Sequence, residues 1–88
     1  MISRVDANQS EIVQALRAAG CSVQSLASVR HGCPDVLAGR DGANYVLEIK
    51  SPTGTLTSAE RQWQADWRGQ VAVVRSVEEA LHAVGVLL

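Results

Sequence analysis

The chain has 88 residues, 47% of them hydrophobic, and eight Lys and Arg stand against nine Asp and Glu for a net charge of -1. This composition excludes a disordered chain and argues against a strongly basic nucleic-acid coat, while leaving room for a compact site whose acids offset a basic groove. One small domain spanning residues 1–88 is expected, with a core modest enough that dimerisation would be a natural way to bury more surface.

The start, MISRVDANQSE, has no apolar h-region, and the chain has no run of about 18 apolar residues, so neither a secretory signal nor a membrane partner is expected. Cys21 and Cys33 form no zinc-type cluster and no disulfide framework, which points to an intracellular, cytoplasmic protein with reduced thiols.

Met1–Gly20 reads as an amphipathic helix, with Val5, Ile12, Ala15, Leu16 and Ala19 at helical spacing and Gly20 as a C-terminal cap. Asn8 with Glu11 three residues on matches a capping box, which would start the ordered helix near Asn8. Glu11 then lies at the edge of the apolar stripe, where an acid can reach a sheet packed beneath. Cys21–Val29 alternates like a half-buried strand, and Arg30-His31-Gly32 makes a turn. Asp35–Arg40 and Asn44–Lys50 are strands joined by a hairpin turn at Asp41-Gly42-Ala43, completing an antiparallel meander.

Thr57 with Glu60 forms a second capping box that opens a helix ending at Gly69, with Ala59, Trp63 and Trp67 on its apolar face. The two tryptophans are expected in the core or in a dimer contact. Gln70–Arg75 holds the run Val71, Ala72, Val73, Val74, as a buried strand does. Ser76 caps a last helix through Glu79, with Ala80, Leu81, Val84 and Leu87 as its stripe. The fold class is therefore α/β (α+β), in the order αβββαβα.

The chemistry concentrates in Gly32–Pro52. Period-two alternation puts Glu48 and Lys50 on one strand face and Tyr45, Leu47 and Ile49 on the other. Charged groups near a core are costly unless paired or bound to a metal. Mg²⁺ takes oxygen ligands, commonly one or two carboxylates with waters and substrate phosphate. Asp35 and Glu48 supply two carboxylates, the Ile49 carbonyl supplies a third oxygen, and Lys50 is a cation placed to orient water or meet developing charge. Read singly, Asp35 is also a common turn-forming acid, Glu48 and Lys50 also suit a solvated sheet face, and Glu11 is explained by its capping box alone.

Asp35, then Glu48-Ile49-Lys50, spells PD-(x)12-E-x-K, which resembles the PD-(D/E)xK nuclease superfamily. With Gly32-Cys33-Pro34-Asp35, Leu56-Thr57, the tryptophan pair, Arg68-Gly69 and the VVRSVEEAL stretch, nearly the whole chain is similar to a compact VRR-NUC domain of the stand-alone phage or bacterial type. The resemblance implies a restriction-endonuclease-like core, Mg²⁺ or Mn²⁺ as cofactor with no organic one, and a homodimeric DNA endonuclease related to Holliday-junction resolvases. It implies Asp35, Glu48 and Lys50 as catalytic residues, and Glu11, Asp35, Glu48 and Ile49 around the metal. Arg30 and Arg40 bracket the site strand and are expected, with Lys50, to meet DNA phosphates. The order Glu60-Arg61-Gln62 departs from the family's glutamine early in the second helix, so Gln62 is not counted in the site. The alternative function is a catalytically silent nucleic-acid-binding or dimeric scaffolding module of the same fold.

Overall fold

The computed structural model describes residues 4–88. Its elements are α1 (Arg4–Ala18), β1 (Ser22–Ser25), β2 (Val36–Arg40), β3 (Ala43–Ile49), α2 (Ser58–Asp66), β4 (Ala72–Val74) and α3 (Val77–Ala83). This is the αβββαβα order, built on a four-stranded mixed sheet ordered β1-β2-β3-β4. The first three strands run antiparallel, and β4 returns parallel to β3. Among the described residues no helix is long and apolar enough to cross a membrane.

Local signals in the sequence account for most of the boundaries. At the β2–β3 hairpin, Asp41 (φ 51°) and Gly42 (φ 79°) are both left-handed, the geometry whose twist matches paired strands. Thr57 caps α2 with its side chain on the Glu60 amide, while the Glu60 carboxylate accepts the Thr57 N–H, completing the expected box. Ser76 caps α3 through the Glu79 amide, but Glu79 Oε1 accepts from Arg75 N, one residue before the cap. Both α1 and α3 end in the paired hydrogen bonds of a Schellman motif, Cys21 N to the Leu16 carbonyl with Gly20 N to Arg17, and Val86 N to Leu81 with Gly85 N to His82.

Four expectations need correction. The first helix is already under way at Arg4, so Asn8 is an interior residue and its capping box with Glu11 does not form; the Met1–Ser3 part of that expectation lies outside the described residues. The β1 strand stops at Ser25 because Val29 N turns back to the Leu26 carbonyl, and as an edge strand it buries little beyond Val23. The second helix ends at Asp66 rather than Gly69, since Trp67 is extended. Leu87 lies past the end of α3 and is exposed.

The core lies on one face of the sheet. Ile12 and Leu16 from α1 and Ala80 and Val84 at α3 meet Val36 and Ala38 of β2, Leu47 and Ile49 of β3, and Val74 of β4. Leu47 and Ile49 therefore sit on the face that alternation assigned them, and Glu48 projects to the other. The helix α2 is different: none of its residues is buried, and Trp67 is 46% exposed, so the tryptophans are not core.

The short β4 strand is lengthened by a side chain. The Gln70 amide accepts Val46 N at 2.6 Å and donates to the Val46 carbonyl at 3.2 Å, an imitation of a backbone pair just before the Leu47–Ala72 register begins.

Candidate active site

Asp35 enters the site from the residue before β2. One step beyond the Val36–Leu47 pair, the antiparallel register carries it across from Glu48. The Ile49 backbone N–H donates to Asp35 Oδ2 at 2.6 Å and fixes that carboxylate against the end of β3. Ile49 thus positions Asp35 through its amide.

Glu48 is 1% exposed, and its Oε1 is buried without a hydrogen-bond partner. Burial, then the hydrogen bond to Asp35 and the Asp35 charge, push its carboxyl from 4.5 up to about 9, with Glu60 adding to the effect and Lys50 opposing it. In the metal-free protein the Glu48–Asp35 pair therefore favours retention of a proton, with Glu48 the raised member. The Cys33 thiol lies in the same field: burial first, then Glu48 and Asp35, hold it protonated.

Lys50 directs its Nζ to Glu60 Oε1 at 2.7 Å, and both side chains are mostly buried. Burial pushes the Glu60 carboxyl up, but the Lys50 hydrogen bond, the Thr57 backbone and hydroxyl and the Lys50 charge outweigh it and hold the group below the usual range. Glu60 Oε1 therefore serves as both helix cap and lysine partner. The sequence signal for Glu60 was its capping box, which located the residue at the start of α2 but gave no hint of Lys50.

The end of β3 is held from several sides. Lys50 N donates to the Val74 carbonyl at 3.0 Å. From α1, Asn8 Nδ2 reaches the Lys50 carbonyl at 2.8 Å and the Arg75 carbonyl at 3.4 Å. Arg75 in turn donates to the Gly54 carbonyl at 2.8 Å, tying the loop after Lys50 to the exit of β4.

The loop before Asp35 is also shaped for contact. Arg30, His31 and Gly32 are successively left-handed, at φ 64°, 57° and 82°. Gly32 is required twice over: its φ disfavours a side chain, and a Cβ there would fall on the Ala59 carbonyl. The loop thereby docks directly on the first turn of α2, where Glu60 sits.

The structure thus brings Asp35, Glu48, Ile49 and Lys50 together. Glu11 stands exposed on α1, one turn after Asn8, and among the described residues no group of three or more His, Cys, Asp and Glu side chains is arranged to hold a metal. From α1 it is Asn8 whose side chain hydrogen-bonds the residue at the end of the site strand. Arg30 is exposed in the left-handed loop. Arg40 sits at the other end of β2, roughly 16 Å from Asp35 in an extended strand, where it donates to the Val84 carbonyl beyond α3 and pairs with Asp41. It closes the end of that helix and does not flank the carboxylates.

The chain matches no protein-family model, no curated protein and no solved structure.

Proposed function

We propose that the chain is a metal-dependent DNA endonuclease of the PD-(D/E)xK type, built on a restriction-endonuclease-like core and belonging with the compact VRR-NUC nucleases. The observation that carries this reading is the Glu48 carboxyl, buried with one oxygen unpartnered and pressed against Asp35. Two carboxyls in contact in a low-dielectric site disfavour each other's charge, and a hard divalent cation removes that conflict by satisfying both. Two protein carboxylates also match the habit of Mg²⁺, which retains waters and takes further oxygens from substrate phosphate.

Asp35 and Glu48 would hold Mg²⁺ or Mn²⁺. When bound, such an ion supplies Lewis-acid charge at the phosphate and an acidified water. Asp35 is pre-oriented for this by the Ile49 amide. Glu48 would serve as a ligand in its ionised form, its proton released to solvent, and Lys50 would offer a compact cation to the phosphate once it shares or leaves Glu60. Arg30, exposed in the loop that leads to Asp35, would meet a DNA phosphate. A homodimer would pair two such sites about a twofold axis, suiting paired incisions on branched DNA such as four-way junctions.

The ion pair that holds Lys50 on Glu60 favours a second reading, a silent nucleic-acid-binding or scaffolding module of the same fold. Cleavage of a panel of four-way junction, flap, single strand and duplex with Mg²⁺ or Mn²⁺ decides between them. Wild-type protein should cut at least one substrate, whereas Asp35→Ala and Lys50→Ala should lose about 10²-fold or more with circular dichroism unchanged. Binding without cutting establishes the silent module, and equal cutting by all three proteins removes the site assignment.

A further inference from the structure

Five residues near and along α2, namely Ala59, Gln62, Trp63, Asp66 and Trp67, recur at i, i+3, i+4, i+7 and i+8, the spacing of a core-facing stripe. Here that stripe is left uncovered. With His31 it lines a groove of about 400 Å³, a volume within the range of small-molecule sites. Trp63 and Trp67 are stacked with ring centroids 4.6 Å apart and planes inclined by 20°, and Trp67 Nε1 is anchored on the Gln70 carbonyl at 3.1 Å. Gln62 Nε2 donates to both Asp66 oxygens at 3.1 Å, giving the groove a fixed polar edge beside its aromatic wall.

Along the chain the groove adjoins the candidate active site on both of its walls. On one side His31 precedes Gly32, and the same loop leads to Asp35. On the other, Ala59 precedes Glu60, the partner of Lys50. Gly32 packed on Ala59 joins the two walls at their base. A chain of nucleotides with a phosphate at Asp35 and Glu48 would lead a neighbouring base toward the two indoles and the imidazole. Stacking on aromatic rings accepts any base because each has a π-face, and a carboxylate at the edge accepts from exocyclic amino groups.

We propose that this groove is a base-stacking subsite for an unpaired nucleobase next to the scissile phosphate. This rests on the nuclease reading and gives it a substrate class: DNA with at least one unpaired or splayed nucleotide beside the cut. A base within a duplex has its faces occupied by its neighbours and does not enter. The left-handed backbone at His31 is the local strain that sets the imidazole against α2.

The chain's two tryptophans both line the groove, so selectively excited indole emission reports on it alone. Metal-free Asp35→Asn protein is titrated with three fluorescein-labelled DNAs, a flap with an unpaired tract, the same flap with abasic sites in that tract, and a fully paired duplex, following both indole emission and label anisotropy. The flap should quench the indoles, and the abasic flap and the duplex should not. Trp67→Ala, at an exposed position, should weaken flap binding about tenfold relative to duplex, as should His31→Gly, which relaxes the backbone while removing the ring. DNA binding with unmoved emission, or equal quenching by the abasic flap, overturns the subsite while leaving cleavage by wild-type protein with Mn²⁺ intact. Indole emission that changes with protein concentration before any DNA is added shows a second copy in the groove and also overturns it. Quenching by the flap without metal-dependent cleavage of any DNA removes the nuclease reading, and with it a subsite beside a cut.

Discussion

Glu48 carries a sign that can be measured without any substrate. Its folded carboxyl titrates at about 9 against 4.5 for a free group. The native state thus binds a proton that the unfolded chain releases, so its contribution to stability is complete below pH 4.5 and falls away as pH rises toward about 9. Urea unfolding of the metal-free protein should show this loss. Glu48→Gln, which keeps shape and hydrogen bonding without an ionisable proton, should flatten it and be more stable than wild type at pH 8 by roughly 1–3 kcal/mol. Glu60 runs the other way: its lowered carboxyl stabilises above the usual carboxylate range and fails under acid, so Glu60→Gln should soften the acid limb. Metal should reverse the Glu48 penalty. At a hundred times its Kd, Mn²⁺ should stabilise wild type by about 2.7 kcal/mol, with release of a proton near neutral pH, and should do little for Asp35→Asn. Thermal shifts with and without Mn²⁺, and titration calorimetry in buffers of different ionisation enthalpy, measure both.

Among the elements, those with local rules were legible in the sequence. The Asp41-Gly42 hairpin, the Thr57 and Ser76 caps and the alternation of β3 all follow from spacing over a few residues. Where a long-range partner decides, the sequence was silent. Asn8 and Glu11 spell a cap, yet the helix begins earlier and Asn8 is spent on carbonyls 42 and 67 residues away. The α2 stripe was legible as apolar, but periodicity names a face without saying what covers it. Arg40 looked like a flank of the site because strand direction was read without the helix waiting at its far end. Gln70 gave no signal at all, since a side chain that imitates a backbone pair has no spacing rule. Gln70→Ala should cost about 1–2 kcal/mol by stripping both Val46 hydrogen bonds. Gly32→Ala should cost at least as much and should also weaken cleavage, because the loop can then no longer rest on Ala59. Urea denaturation of the two variants, with cleavage assays on the second, checks both expectations.

At the scale of the molecule, the sheet divides labour between its faces. The helices α1 and α3 cover one face and make the core, while the other carries the carboxylates and is bordered by a helix with no buried residue. Asp35 and Glu48 were findable from sequence because hairpin register and alternation are short-range, and the hairpin brought them together as the PD-(x)12-E-x-K spacing implies. The latch of Lys50 on Glu60 was not, because it depends on how the loop over residues 51–57 returns α2 to the strand it left.

The tethering of Lys50 bears on how this small protein opens. Its amide is bound to β4 and its carbonyl to α1, so the end of β3 is stitched to segments from both halves of the chain. A stretch held in that way has no partial route to solvent. The Lys50 amide should therefore exchange its hydrogen for deuterium only when the whole molecule unfolds, at the slowest rate in the chain, while amides in the exposed β1 strand exchange by local fraying. Asn8→Ala should uncouple the two, letting the Lys50 amide exchange faster than the core amides of Leu47 at a denaturant concentration where global stability has changed little. This end of the strand would then breathe on its own, and the difference between those two exchange rates is a direct reading of how firmly it is held.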